Sequence, residues 1–218
     1  MPEVDKEQRC EDPKPVARLP LFTDCREVAG DVACPGDSGY STIPVFGRTM
    51  RLRKDSPAIM LMGCLDELVN LTNGIRLNFK NELKVASMAA VVMALSMQLN
   101  AYLVQGTQER LSKVKIVETL LETKVSDLCS SYRGDVGWIV ASTPEAQAID
   151  GIRVKLRECG RVASSMLDKY PEVDNIIKVL NHADKLVAQS LYCLGGKVYK
   201  SIDDVTGALL SSTLDNNA

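Results

Sequence analysis

The chain has 218 residues, of which 45% are hydrophobic and only 5% aromatic, and its formal net charge is −2. This length allows one full domain with tails, and the composition favours packed helices over an aromatic-rich sheet. Because the charge is near neutral and forms no block of one sign, no direct nucleic-acid binding is expected. Polar residues interrupt the most apolar stretch, 85–104, so no membrane span is expected either.

The seven cysteines lie at positions 10, 25, 34, 64, 129, 159 and 193. Their number is odd and their spacing is not that of a metal site, so we predict reduced thiols in an intracellular protein and no metal centre. The N-terminus is acidic and has no apolar segment typical of a leader. The expected location is therefore the cytoplasm or the mitochondrial matrix.

Two polar segments open the chain. Residues 1–31 carry several prolines and no sustained period, which predicts an extended arm or a segment that a partner orders. Residues 32–56 are rich in turn signals, above all in Pro35-Gly36-Asp37-Ser38-Gly39. Two glycines around an aspartate can present backbone N–H groups to an anion, although an ordinary turn has the same composition.

Three long helical segments follow. The first runs from Pro57, a favourable residue in a first turn, to about Phe79. The second, 82–105, is apolar nearly all round, which indicates the central helix of the fold. Gly106 ends it, and Thr107 can cap a third helix over about 108–132.

Two further helices complete the predicted fold. Thr143 and Pro144 begin a fourth helix that reaches about Lys169, and Pro171 opens a fifth that ends at Gly195-Gly196. Long helices with short connections predict an all-α fold, an up-down five-helix bundle over 32–196. The extended N-terminal arm is 1–31, and the C-terminal tail 197–218 can form a short helix near 205–210.

Asp66 lies in the first helix between Leu65 and Leu68, so its carboxylate is expected near a buried face, where it needs a cation. The fourth helix carries arginines at 153, 157 and 161, and this four-residue spacing puts them on one face. We therefore predict an ion pair between Asp66 and Arg153 that joins the first and fourth helices.

Five stretches, in this order, resemble motifs of the ATP:cob(I)alamin adenosyltransferases of the propanediol-utilisation type. Gly36-Asp37-Ser38-Gly39-Tyr40-Ser41 resembles the family's nucleotide loop Thr-Arg-Thr-Gly-Asp-x-Gly-x-Thr. The run 51–57 resembles its basic loop ending in Lys-Asp-Asp-Pro, and 63–68 resembles Gly-Thr-Val-Asp-Glu-Leu. Trp138-Ile139-Val140 falls where the family has Phe-x-x-Pro-Gly-Gly, and 153–161 where it has Arg-x-x-x-Arg-Arg-x-Glu-Arg.

The resemblance implies a trimer of five-helix bundles that binds ATP, with Mg²⁺, and cobalamin between neighbouring subunits. The reaction it implies is attack of reduced cobalt on the 5′ carbon of ATP, with release of triphosphate. Asp66, Arg153 and Arg157 fall on catalytic positions. The implied ligand-binding residues are Gly36, Asp37, Gly39, Ser41 and Lys54 around the loop, Arg161 and Asn181 on helices four and five, and Trp138, which replaces the aromatic that closes the lower face of cobalamin.

The sequence also departs from the family pattern at several nucleotide-site positions. The loop arginine and its neighbouring threonine are replaced by Cys34 and Pro35, the second arginine of the pair by Glu158, and the ATP-contacting glutamate by Gly160. Each lost charged contact costs on the order of 1–3 kcal/mol. Such an eroded site is expected to bind ATP poorly.

Two functions therefore remain open from the sequence. One is a working adenosyltransferase. The other is a non-catalytic relative kept as a structural subunit of a large assembly, for example in mitochondria, with the arm 1–31 as its docking segment. The expected partners are two further copies of the chain or such an assembly.

Overall fold

The computed structural model of the chain describes residues 24–28 and 31–215, and these residues form six α-helices and six short β-strands. The helices are α1 (Pro57–Asn78), α2 (Leu83–Gln105), α3 (Gln108–Cys129), α4 (Pro144–Ser164), α5 (Val173–Cys193) and α6 (Ile202–Asp215). The strands are β1 (Arg26–Val28), β2 (Asp31–Ala33), β3 (Tyr40–Val45), β4 (Arg48–Arg53), β5 (Trp138–Ala141) and β6 (Gly196–Tyr199).

The five long helices form the predicted bundle. α1 packs against α2 and α4, α3 packs against α2 and α5, and α4 packs against α5. The predicted caps are present, because the hydroxyls of Thr107 and Thr143 accept hydrogen bonds from the N–H groups of Arg110 and Ala146. The all-α prediction is therefore confirmed, and the local signals that set the helix starts act as expected.

α2 is the most apolar helix, as the sequence predicts. Its buried side chains include Met88, Val92, Leu95, Leu99 and Leu103, each 1% exposed or less. Length and composition alone would let this helix cross a membrane, but half of its apolar window is buried inside the fold. The other half of that apolar window lies outside the core, for example at Met97, which is 55% exposed.

Three antiparallel strand pairs, β1–β2, β3–β4 and β5–β6, were not predicted. Residues 26–28 and 31 of the predicted arm contribute to the first pair; of the rest of the arm, the structure describes only residues 24 and 25. The tail supplies β6, and α6 is longer than the short helix expected there. Strands of three to six residues have too few alternations to stand out among prolines and glycines, so the sequence indicates only turns.

The β3–β4 hairpin is fastened to the end of α2 by its turn. Phe46 donates its N–H to the Leu103 carbonyl at 2.6 Å, and Gly47 donates to the Val104 carbonyl at 2.9 Å. A Cβ added at Gly106 would lie 2.8 Å from the Phe46 Cα, so only glycine permits this approach. The close contact fixes where the hairpin leaves the bundle.

Six cysteines form disulfides, which corrects the prediction of reduced thiols. The pairs are Cys25–Cys34, Cys64–Cys159 and Cys129–Cys193, and Cys10 lies outside the described residues. The second and third pairs are separated by 95 and 64 residues in sequence. Helix packing alone brings these sulfurs together, so no local spacing could reveal them. The expectation of an intracellular location thereby loses the support of free thiols.

Candidate functional site

The glycine-containing loop is a compact turn with its own internal hydrogen bonds. A 3₁₀ turn over Pro35–Ser38 follows β2, and the Asp37 carboxylate accepts the Cys34 N–H at 2.7 Å. The N–H of Asp37 donates to the Cys34 carbonyl at 3.0 Å. Gly39 has φ 77°, a left-handed conformation that favours glycine. The loop shape therefore depends on the residues that the sequence singled out.

Lys54 comes from the far end of β4 and lies against this loop. Its N–H donates to the Gly39 carbonyl at 3.0 Å. A Cβ added at Gly36 would lie 3.3 Å from the Lys54 Nζ, so the ammonium group rests directly over that glycine. Ser41 opens β3 beside the turn. The five residues predicted around the loop thus gather at one end of the hairpin, which we call the loop cluster: Gly36, Asp37, Gly39, Ser41 and Lys54.

A cavity of about 490 Å³ lies beside the loop cluster. Its lining includes Gly36 and Ser41 of the cluster, the Cys25–Cys34 disulfide and, from β4, Arg51. Asp24 and Tyr40 also line it. Sequence reasoning missed Arg51, although its place two residues from Arg53 in an alternating strand puts both on one face of the hairpin.

Asp66 does not pair with Arg153, so the predicted ion pair is wrong. Asp66 is exposed, and its Oδ1 accepts a hydrogen bond from Asn100 Nδ2 of α2 at 2.9 Å. Leu65 and Leu68 are fully buried, but the residue between them turns away from the core. Helical geometry rotates each successive side chain by about 100°, so flanking leucines do not bring Asp66 to the buried face.

The ion pair that joins α1 to α4 involves the next residue, Glu67, whose carboxylate binds Lys155. Lys155 also binds Glu158 at 2.9 Å. Burial lowers the pKa of the Lys155 ammonium, but the hydrogen bonds to Glu67 and Glu158 outweigh this effect and leave the pKa raised. Glu158, which stands where the family has its second arginine, is therefore bound to Lys155.

The α4 arginines meet carboxylates other than Asp66. Arg153 Nε donates to Asp150 Oδ1 at 2.6 Å, and Arg157 lies 4.0 Å from Asp184 on α5. Burial raises the pKa of Asp184, and the positive charges of Arg157 and Arg153 oppose that rise. Asp184 is thus the partly buried carboxylate that faces the arginines of α4. The sequence analysis gave this role to Asp66.

Three further predicted residues lie along α4, α5 and β5. Arg161 and Asn181 are exposed. A Cβ added at Gly160 would lie 3.9 Å from Asn181 Oδ1, so α4 and α5 approach each other closely there. Trp138 is 56% exposed and pairs in register with Tyr199 across the β5–β6 ladder. We call the α4–α5 set the arginine face: Arg153, Arg157, Arg161, Asn181 and Asp184.

The loop cluster and the arginine face remain separate within the described part of one chain. No hydrogen bond or ion pair between residues 24–28 and 31–215 joins the two groups. The first offers the Lys54 ammonium and the Ser41 hydroxyl beside a cavity, which suits a polyanion, while the N–H groups of Asp37, Gly39 and Lys54 are bonded within the loop itself. The second offers guanidinium groups already opposed by carboxylates.

Comparisons with known proteins identify the fold. No protein-family model matches the chain, and no curated protein matches it. A solved phenylalanine-to-alanine variant of the PduO-type ATP:corrinoid adenosyltransferase from Lactobacillus reuteri, complexed with cobalamin and ATP, matches with a TM-score of 0.61. It is 18% identical, and the match covers 77% of this chain and 97% of that one.

An arginine-to-lysine variant from the same organism, complexed with ATP, matches with a TM-score of 0.59 at 15% identity, over 76% of this chain and 98% of that one. A phenylalanine-to-histidine variant complexed with cobalamin and ATP matches with a TM-score of 0.59 at 18% identity, over 77% and 95%. The chain therefore has the fold of these adenosyltransferases.

Proposed function

We propose that this protein is a member of the ATP:cob(I)alamin adenosyltransferase family that binds the triphosphate of ATP at the loop cluster. The observation that carries the proposal is the position of Lys54 over Gly36, within a fold shared with proteins complexed with ATP and cobalamin. A lysine beside a glycine turn provides a positive charge and room for phosphate oxygens. The reaction would transfer the 5′-deoxyadenosyl group of ATP to cob(I)alamin.

The residues present fit the leaving group better than they fit the corrinoid. Attack on the 5′ carbon of ATP releases triphosphate, so cations and N–H donors at the loop stabilise charge that grows in the transition state. Lys54 supplies such a cation, and Ser41 adds a hydroxyl donor at the cavity wall. For cobalamin the support is weaker, since Trp138 is half-exposed on a separate strand pair and no aromatic ring of the described residues stacks on it.

We further propose that a complete site needs a second copy of the chain. The loop cluster and the arginine face do not meet within one chain, and both present exposed polar groups. In a homotrimer, the arginine face of one subunit would complete the loop cluster of its neighbour. Arg157 and Arg161 would then add to the charge that Lys54 supplies.

A second function, a non-catalytic structural subunit, is favoured by the arginine face. There Asp150 binds Arg153, and Asp184 lies 4.0 Å from Arg157. Asp66 is not part of this face, because its carboxylate binds Asn100 of α2. Guanidinium groups that already face carboxylates bind a polyanion less well, because each must exchange one partner for another. Such a protein would keep the bundle and dock through its N-terminal arm.

Adenosylcobalamin formation from ATP and reduced cobalamin separates the two functions. The native chain is compared with the double variant Glu158→Arg/Gly160→Glu, which restores the family residues, and with Glu158→Gln as the matched control. Calorimetric titration with ATP accompanies each assay. We expect weak ATP binding and slow turnover in the native chain and a gain in the double variant only.

Two results would count against this proposal. Absence of both ATP binding and turnover in the native chain and in the double variant would favour the structural subunit. Adenosylcobalamin formation by a chain that is monomeric at assay concentrations would contradict the need for a second copy. Sedimentation analysis of the same samples gives the oligomeric state.

A further inference from the structure

We propose that Arg51 supplies the polyphosphate-binding cation that position 34 lacks, an inference that rests on the function proposed above. Cys34 stands at the start of the loop and is bonded to Cys25, so this position offers no positive charge. Arg51 comes from β4, yet it lines the same cavity as Cys34 and Gly36. The charge would thus come from the strand beside the loop.

The hairpin register sets the position of Arg51. Thr42 of β3 pairs with Arg51, and Tyr40 lies two residues before Thr42, on the same outward face. The guanidinium carbon of Arg51 lies 4.7 Å from the centre of the Tyr40 ring. This stacking holds the long side chain over one surface, which reduces the entropy lost when it binds a ligand.

Arg51 is also the arginine of β4 that has no carboxylate partner among the described residues. Arg48 binds the Glu172 carboxylate, and Arg53 binds both oxygens of Asp55 at 3.0 and 2.7 Å. Among the described residues, Arg51 forms no ion pair, and its side chain is exposed. A phosphate group that approached Arg51 would therefore displace no carboxylate from it.

The chemistry of the cavity identifies the class of ligand. A guanidinium binds phosphate oxygens in pairs, and Lys54 adds a second cation beside Gly36. Asp37 is not among the residues that line the cavity, and its carboxylate accepts the Cys34 N–H. Asp24 lines the cavity as well and is the one carboxylate there that an anion must avoid. These features fit the linear polyphosphate end of a nucleoside triphosphate.

The test is calorimetric titration of the full chain with inorganic tripolyphosphate and, separately, with ATP. Arg51→Gln removes the charge, and Arg53→Gln is the matched control on the same strand face. We expect Arg51→Gln to weaken both ligands by about 10- to 100-fold, the range for loss of a charged hydrogen bond. Arg53→Gln should change them by less than about threefold, since this arginine is already paired and exposed.

Two more variants examine the mechanism. Arg51→Lys keeps the charge but loses the paired donors, so the affinity should lie between those of the native chain and Arg51→Gln. Tyr40→Leu keeps Arg51 but removes the ring beneath it, and we expect a loss of a fewfold. Circular dichroism of each variant verifies the fold.

The outcomes distinguish this inference from the proposed function. If the native chain binds ATP and Arg51→Gln binds it equally well, the role of Arg51 is overturned while the proposed function stands. If Arg51→Gln and Arg53→Gln lose affinity equally, the effect is one of general surface charge, and the inference is again overturned. If the native chain binds neither ligand, both the inference and the ATP-binding function fail.

Discussion

The loop cluster and the arginine face carry cations in very different surroundings. Beside the loop cluster, Arg51 lines a cavity and Lys54 lies over Gly36, and neither makes an ion pair with a carboxylate of the described residues. On the arginine face, Arg153 and Arg157 lie close to Asp150 and Asp184. The binding capacity of the two regions therefore cannot be judged from the number of basic residues they hold.

The backbone explains this difference. On packed helices, side chains three or four residues apart and those of the next helix are close neighbours, so an arginine readily meets a carboxylate. A two-stranded hairpin has one face without a covering layer, and its outward residues have fewer neighbours there. Arg48 and Arg53 still reach carboxylates at the ends of β4, whereas Arg51 between them remains available to a ligand.

The largest expected difference between the two regions is in the stability that their disulfides provide. Cys64–Cys159 closes a segment of 95 residues between α1 and α4, whereas Cys25–Cys34 closes one of 9. Loop-closure entropy predicts that Cys64→Ala/Cys159→Ala costs about 4.7 kcal/mol of unfolding free energy and Cys25→Ala/Cys34→Ala about 2.6 kcal/mol. Guanidinium unfolding without reductant measures both. Equal losses would show that chain entropy does not set the difference.

The next effect compares a cation from each region. Lys54→Met should weaken ATP binding about 10-fold or more, because a charged contact at the loop is lost. Arg157→Met should weaken it less than Lys54→Met does, because Asp184 already faces that guanidinium and offsets part of its charge. Titration calorimetry with ATP gives both numbers. A larger loss for Arg157→Met would reverse the comparison.

Asp184 gives a pH-dependent test of the arginine face. Its pKa is raised in the folded protein, mainly by burial, so the folded state holds this proton more tightly than the unfolded state. The contribution of Asp184 to the free energy of unfolding is therefore largest at a pH below the usual pKa of an aspartate. This contribution falls as the pH rises through the raised pKa of the folded protein.

Asp184→Asn should remove this pH dependence, so that the thermal unfolding midpoint of the variant gains on the native midpoint as the pH rises above the usual pKa of an aspartate. The same variant frees Arg157 and should strengthen ATP binding if that arginine reaches the ligand. Asp174→Asn, an exposed acid on the same helix that pairs with Lys178, is the matched control. Parallel pH profiles for the native chain and Asp184→Asn would contradict the proposed effect of burial.

The smallest effect is expected at Asp66. The predicted buried pair with Arg153 would make Asp66→Ala cost about 3–5 kcal/mol. Since the carboxylate is exposed and accepts one hydrogen bond from Asn100, we now expect about 0.5–1 kcal/mol. Urea unfolding measures the loss, and Asn100→Ala should produce a similar one. A loss above about 3 kcal/mol would restore the original interpretation.

The helices could be predicted from the sequence because their signals are local. Thr107, Thr143, Pro57 and Pro144 set helix starts within a few residues of themselves. Lys54 and the glycine loop were singled out by the family resemblance, and the structure brings them together beside one hairpin. What joins distant segments was missed: Asp66 was predicted to pair with Arg153, whereas its neighbour Glu67 joins α1 to α4 through Lys155, and Asp184 was not considered. One residue along a helix turns a side chain by about 100°, and no local pattern fixes the partner.

The β3–β4 hairpin is anchored at both ends. Phe46 and Gly47 bind its turn to the end of α2, and at the other end β4 leads through three residues into α1. Its inward side chains Ile43, Met50 and Leu52 pack against the core, so the outward face is the part that contributes least to the bundle. Substitutions on that face can therefore change the ligand-facing surface while the helices beneath it keep their packing.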